Sequence, residues 1–332
     1  MKRYVLLFSA IAFLLNSCLP ECEEYTEGIL PLTPLNMEEF NSEYDDYNAT
    51  APSLGAFIPF CFSTNRNSEG ENFDIIYMPM SVHWDKATGD INILNDYDSW
   101  IGYQEQFTVL NDALNMANTD SSELGPNLIL NSSYYYGDYD FLIMYASDKG
   151  GDFQICFTYN YNSPLFNEPK EISYLNSEYD DLYPTFNSNY SHIYFCSARD
   201  NDVFNIYSTP LLKNPDRLVE EFNDTSRRDI TLNDILSSDY NDKCPFIMGR
   251  VMVFTSDRPG GEGGFDLYYS IYEDNTWGEP VNFGPYINSP DDEYRPVLVN
   301  DGVDFYRDMM IFSSDRQGGS GGFDLYYVGV EF

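Results

Sequence analysis

The sequence predicts an all-β chain folded as a five-bladed β-propeller of four-stranded antiparallel blades, and three observations predict it. The segment Phe254–Tyr268 (FTSDRPGGEGGFDLY) returns almost unchanged 58 residues later at Phe312–Tyr326 (FSSDRQGGSGGFDLY). Weaker copies lie upstream at Phe62–Tyr77, Tyr145–Phe157 and Phe195–Tyr207. A second element, an apolar residue followed by Asn or Ser and then Ser, precedes the copies, with a Pro seven residues after that Ser in three of them. A unit copied along a chain is one supersecondary structure repeated, and short strands at regular spacing suit a propeller.

Each copy starts with an aromatic residue, passes through a polar and usually Gly-rich loop, and re-enters a strand such as Phe265-Asp266-Leu267-Tyr268. Two β-prone runs joined by Asp, Asn and Gly form a hairpin, because Gly supplies positive φ and Asp binds nearby backbone amides. Asp257 and Asp315 are therefore expected to cap their hairpins. Arg258 and Arg316 are expected to pair with nearby carboxylates such as Asp266 and Asp324. The second element reads Leu175–Pro184, Ile235–Pro245 and Ile287–Pro296, with looser versions at Phe40–Ala49 and Leu130–Tyr139. A third, aromatic-x-Glu-Pro, introduces an outer strand at Trp277–Pro280 and Phe166–Pro169. One unit is thus an inner strand, two hairpin strands and an outer strand.

The last unit ends after its third strand, while Pro31–Ser42 resembles a fourth-strand stretch with no blade before it. The N-terminal strand is expected to complete the C-terminal blade and close the ring. The first two hairpins lie 83 residues apart, against 50, 59 and 58 for the later ones. That excess predicts an insertion at about 81–127 rather than a degenerate sixth blade, with a helix around Gln104–Met116. These motifs resemble the WD40-like β-propeller repeat of the TolB-type family over residues 30–332. The resemblance implies lipid-anchored partner roles in envelope complexes.

The first residues read as a targeting segment. Lys2-Arg3 precedes the apolar run Tyr4–Leu15, which is too short to span a bilayer, and Leu15-Asn16-Ser17-Cys18 follows. This resembles a bacterial lipoprotein signal, with 1–17 removed, Cys18 lipidated and 18–29 an acidic tether. The acids behind Cys18 resemble the surface-export signal of Bacteroidetes lipoproteins. The outer membrane is the expected location, with the side left open.

The formal net charge of −37 repels phosphate backbones, which excludes nucleic acid as a partner and leaves membrane attachment to acyl chains. The six Cys are expected as buried free thiols apart from Cys18. His83 and His192 are expected to be structural, and no His/Cys cluster has metal spacing. The Gly-rich loops are not phosphate cradles, since no helix follows them. No G-x-S-x-G elbow is present.

Both recurring polar loops should open on one acidic face. Asp180, Asp181, Asp291 and Asp292 are the residues there that could hold Ca²⁺, although a repeated carboxylate more simply builds the blade. Function more often lives where a repeat is broken. Trp84, Tyr97, Trp100 and Tyr103 in the insertion are expected contacts for a partner protein or a glycan. The function expected is a non-enzymatic binding or scaffolding module, with an outer-membrane complex as partner. The alternative is a surface glycan-binding protein or a five-bladed glycoside hydrolase. That class uses two or three carboxylates around the channel, and Asp138, Asp140 and Asp304 cannot be placed from sequence.

Overall fold

The computed structural model describes residues 26–50, 58–96, 110–132, 139–161, 165–200, 202–299 and 305–332. Five small antiparallel sheets make five blades. Blade 1 comprises β2 (Asp46–Thr50), β3 (Ile58–Thr64), β4 (Asp74–Trp84) and β5 (Ile91–Leu94). Blade 2 comprises β6 (Glu123–Ser132), β7 (Tyr139–Ser147), β8 (Gln154–Tyr159) and β9 (Lys170–Glu171). Blade 3 runs through β10 (Asp181–Phe186), β11 (His192–Ser197), β12 (Asn205–Pro210) and β13 (Thr231–Leu232). Blade 4 holds β14 (Asp242–Met248), β15 (Val251–Ser256) and β16 (Asp266–Glu273), with β17 (Thr276–Trp277) and β18 (Val281–Asn282) both on β16. Blade 5 holds β19 (Glu293–Val299), β20 (Asp308–Ser314) and β21 (Asp324–Val330).

The ring closes as the sequence predicts. Strand β1 (Leu35–Asn36) pairs antiparallel with β21, Leu35 opposite Tyr327, so the N-terminal segment supplies the fourth strand of the last blade. The core is not one central mass but a set of apolar layers between neighbouring blades. Phe60 and Phe62 of blade 1 meet Val297, Val299, Met309 and Ile311 of blade 5, for example. Flat sheets packed face to face around an axis must bury both faces, which explains why Phe60, Phe62, Phe195, Phe254 and Phe312 of the second strands are interior.

The stretch between the first two hairpins forms no sixth blade among the described residues. It finishes β4, adds β5 and contains the helix 110–117. Leu110, Ala113, Leu114 and Ala117 of that helix pack between Ile75 of blade 1 and Phe141 and Tyr145 of blade 2. The recurring element of blade 2 also lies elsewhere than expected. It is Ala117-Asn118-Thr119 with Glu123 and Pro126, not Leu130–Tyr139, because it is Asn118 that binds the Ile75 backbone, N–H to Oδ1 at 2.9 Å and Nδ2 to the carbonyl at 2.9 Å. Asn41, Asn176 and Asn288 make the same bonds to Leu325, Ile155 and Leu267.

Candidate functional site

Every inner strand begins with a buried acid: Asp46, Glu123, Asp181, Asp242 and Glu293. The backbone N–H of each donates to the Phe carbonyl before the third strand of the preceding blade, at 2.7–2.8 Å. Those phenylalanines are Phe323, Phe73, Phe153, Phe204 and Phe265, so the same latch runs round the whole ring, including the joint between blades 5 and 1. The carboxylate of each acid accepts from the N–H and hydroxyl of a Ser or Thr four residues earlier, as in Ser238 to Asp242 at 2.6 and 2.8 Å.

In four blades an arginine completes this joint. Arg258 donates from Nε to Ser256 Oγ at 3.0 Å, and from Nη2 to the Leu236 carbonyl at 2.8 Å and to Asp242 at 2.5 Å. Arg66 pairs in the same way with Asp46, Arg199 with Asp181 and Arg316 with Glu293. Arginine suits this place, because its planar fork donates to three acceptors while its face covers aromatic rings, here Phe254 and Tyr268. The expected pairs of Arg258 with Asp266 and Arg316 with Asp324 are therefore corrected. Asp266 accepts the Glu262 and Gly263 amides instead, and Asp324 those of Ser320 and Gly321, so each is already occupied in its own Gly-rich loop. Nor do Asp257 and Asp315 cap their own hairpins. They accept the N–H of Asn241 at 2.7 Å and of Asp292 at 2.8 Å, tying hairpin to inner-strand loop.

The glycines of the repeat follow from the same docking. A Cβ on Gly321 would overlap the Tyr44 carbonyl of the next blade, and one on Gly263 the carbonyls of Asp291 and Ser289. Only a bare backbone lets these loops lie against their neighbours.

Blade 2 breaks the joint. Lys149 stands where the arginine belongs, two residues after Ser147, and its side chain is exposed. Glu123 keeps its Ser147 and Thr119 bonds, at 2.7 and 2.8 Å, but has no guanidinium. Burial pushes its carboxyl above the usual carboxylate range, opposed by those hydrogen bonds. A cleft of about 590 Å³ lies at this joint, bounded by Ala117, Thr119, Tyr145, Ser147, Lys149 and Glu171. Cys156 also faces it, its thiol pushed up to about 12 chiefly by burial. A carboxylic acid without a counter-ion beside an open cleft is where perturbed chemistry is expected.

The other expected site residues fare differently. Asp180 and Asp292 accept the Phe153 and Phe265 amides at 2.8 Å, and Asp181 is held by Arg199. With Asp291 they form no metal cluster, and no group of three or more His, Cys, Asp or Glu is placed for one among the described residues. Trp84 is not a free contact surface. Its Nε1 donates to the Thr26 carbonyl at 2.9 Å, and its ring lies 5.7 Å from Phe305. Tyr97, Trp100, Tyr103 and Cys18 fall outside the described residues. Cys61, Cys156, Cys196 and Cys244 are free, and Cys244 lies inside β14. Sequence reasoning missed Glu123, although the signal was present: Thr119, Glu123 and Pro126 keep the spacing of Ser177, Asp181 and Pro184.

No protein-family profile and no curated protein matches the chain. Solved structures do. The alpha-L-arabinofuranosidase of Podospora anserina is 11% identical with a TM-score of 0.49, over 93% of this chain and 97% of that one. A family 117 glycoside hydrolase of Zobellia galactanivorans is 11% identical with a TM-score of 0.47, over 92% and 89%. A putative TolB from Agrobacterium tumefaciens is 13% identical with a TM-score of 0.35, over 57% and 71%. At these identities the likeness concerns the fold alone. One expectation is nevertheless corrected. Glycoside hydrolases recur among the structures that share this fold, so the non-enzymatic reading is not retained.

Proposed function

We propose that the protein is a carbohydrate-active propeller that seats a glycan in the blade-2 cleft. One observation carries this reading: the arginine present in four joints is replaced by Lys149 in the fifth, and Lys149 borders a cleft together with Thr119 and Ser147, the two hydroxyl donors to Glu123. The lining mixes Met116 with Gln154, Thr119, Ser147, Lys149 and Glu171, a blend of apolar surface and polar groups that suits a polyhydroxylated ligand. Glycoside hydrolysis needs one carboxyl kept protonated and a second carboxylate. Burial pushes the Glu123 carboxyl up, Ser147 donates its hydroxyl to that carboxyl from the cleft wall, and Glu171 borders the cleft itself.

The test is a glycan array with the wild-type chain and Lys149→Arg, followed by reducing-sugar release from each glycan bound. The arginine should refill the cleft and weaken binding at least tenfold while the fold is kept. Unchanged binding by the variant would place the glycan elsewhere and end the proposal. Release that is lost in Glu171→Gln supports hydrolysis; binding without release limits the function to recognition.

The proposal places the chain on the outer membrane through a lipid on Cys18, on the strength of the Lys2-Arg3, Tyr4–Leu15 and Leu15-Asn16-Ser17-Cys18 pattern. Labelled palmitate should enter the wild type and not Cys18→Ala; equal labelling would remove the anchor. The same extraction in mild detergent tests the expected envelope-complex partner, which isolation of the chain alone would discard.

A further inference from the structure

Each inner strand carries a bulge two residues after its acid, and the five residues there all have left-handed backbones: Asn48, Gly125, Tyr183, Cys244 and Arg295, with φ of 58°, 61°, 55°, 56° and 49°. The register shifts at this point in all five blades. The repeating Pro follows directly in four of them, since a bulge has no ladder bond for its missing N–H to break. These positions face the axis of the ring, and unlike the joints they do not repeat a side chain. A Cβ on Gly125 would run into the Tyr183 ring of the next blade.

Arg295 is 0% exposed. Its Nη1 donates to the Pro245 carbonyl of blade 4 at 3.3 Å, and its guanidinium carbon lies 5.1 Å from the Tyr183 ring centroid of blade 3. Nε and Nη2 have no hydrogen-bond partner among the described residues. Arg66, Arg199, Arg228, Arg258 and Arg316 each meet a carboxylate, whereas Arg295 meets none among the described residues. In the adjoining blade 1, Asn48 is also fully buried, with both side-chain polar atoms unpartnered among the described residues. A guanidinium does not shed its proton in a protein, and an uncompensated buried charge is strongly unfavourable. The neighbouring groups do not supply the missing charge. Burial pushes the Cys244 and Cys196 thiols and the Tyr183 and Tyr294 phenols upward, so they stay neutral at physiological pH.

We infer that the axis binds a small inorganic monoanion of halide size, held by the Arg295 guanidinium and the Asn48 amide. One net positive charge calls for one negative charge. The surrounding Tyr183, Cys244 and Tyr294 side chains favour a weakly hydrated ion over a bulky one. The ion would join blade 1 to blade 5, whose arginine already reaches blades 3 and 4, and so act as a clip for the ring.

Diffraction from wild-type crystals grown in bromide, recorded at the bromine edge, tests this without any substitution. An anomalous peak against Arg295 Nε and Nη2 is the expected result. A water there with no anomalous signal overturns the inference. In solution, melting is compared in sodium chloride, sodium bromide and sodium gluconate at equal ionic strength. The melting temperature should rise by about 2 °C for each tenfold increase in halide above its dissociation constant, and not with gluconate. The slope should vanish in Arg295→Met and shrink in Asn48→Gly, a substitution that keeps the left-handed φ free of strain. A slope that is absent in the wild type, or unchanged in both variants, sinks the site.

Discussion

Blades 4 and 2 share a backbone and differ at the residue two positions past the second strand. In blade 4, Arg258 joins Ser256, Leu236 and Asp242 into one closed polar joint. In blade 2, Lys149 turns outward, Ala117 stands where Leu236 would be, and Glu123 keeps only hydroxyl and amide donors. The loss of one guanidinium removes the counter-ion from Glu123, whose two hydroxyl donors, Thr119 and Ser147, border a cleft. A repeat that is broken at one polar position becomes a different kind of place, while the backbone around it stays the same.

Breaking the intact joint should have the largest effect. Arg258→Ala leaves Asp242 buried without its partner and should destabilise the fold by about 3–5 kcal/mol. Urea unfolding would show this as a lower midpoint at unchanged slope. A loss below about 1 kcal/mol would mean that the Ser238 donors alone hold the acid.

Repairing the broken joint should have a smaller effect of opposite sign. Lys149→Arg gains hydrogen bonds to Glu123 and the Ala117 carbonyl, for about 1 kcal/mol and a rise of about 2 °C in melting temperature. If the melting temperature falls instead, the blade-2 backbone differs from the others in a way that excludes the guanidinium.

The smallest effect is a pH trend in Glu123→Gln. Burial raises the native pKa of Glu123, so the folded chain binds its proton more tightly than the unfolded one. The acid therefore weakens the fold progressively as pH rises above its ordinary value of 4.5, and this contribution is absent below it. The melting temperature of the variant minus that of the wild type should grow more positive from pH 4.5 toward neutrality. A difference that shrinks over that range would mean that Glu123 is stabilised as the anion.

Much of the fold was legible in the sequence, because a blade is a local structure. The hairpins, the Pro at the bulge and the closing strand Leu35–Asn36 each left a pattern in consecutive residues. The site was less legible. Asp266 lies eight residues from Arg258 and looks like its partner, whereas Asp242 is the true one. Proximity along the chain misleads here because the Glu262 and Gly263 amides occupy Asp266 first. The blade-2 element was hidden for a different reason: Thr and Glu replace Ser and Asp there, with a helix ahead of them.

The sequence by itself determined that this chain is a closed ring of five like units, since each unit is specified by its own turns, prolines and alternating strands. Only the tertiary structure decided which side chains meet. Asn48, Gly125, Tyr183, Cys244 and Arg295 stand far apart in the chain and occupy one backbone position in five blades. Gly125, Tyr183, Cys244 and Arg295 become neighbours when the ring closes, because an axis belongs to the assembled ring and to no single repeat. The same closure takes the surroundings of Arg295 out of water, and burial is what turns an ordinary arginine into a charge that needs a partner.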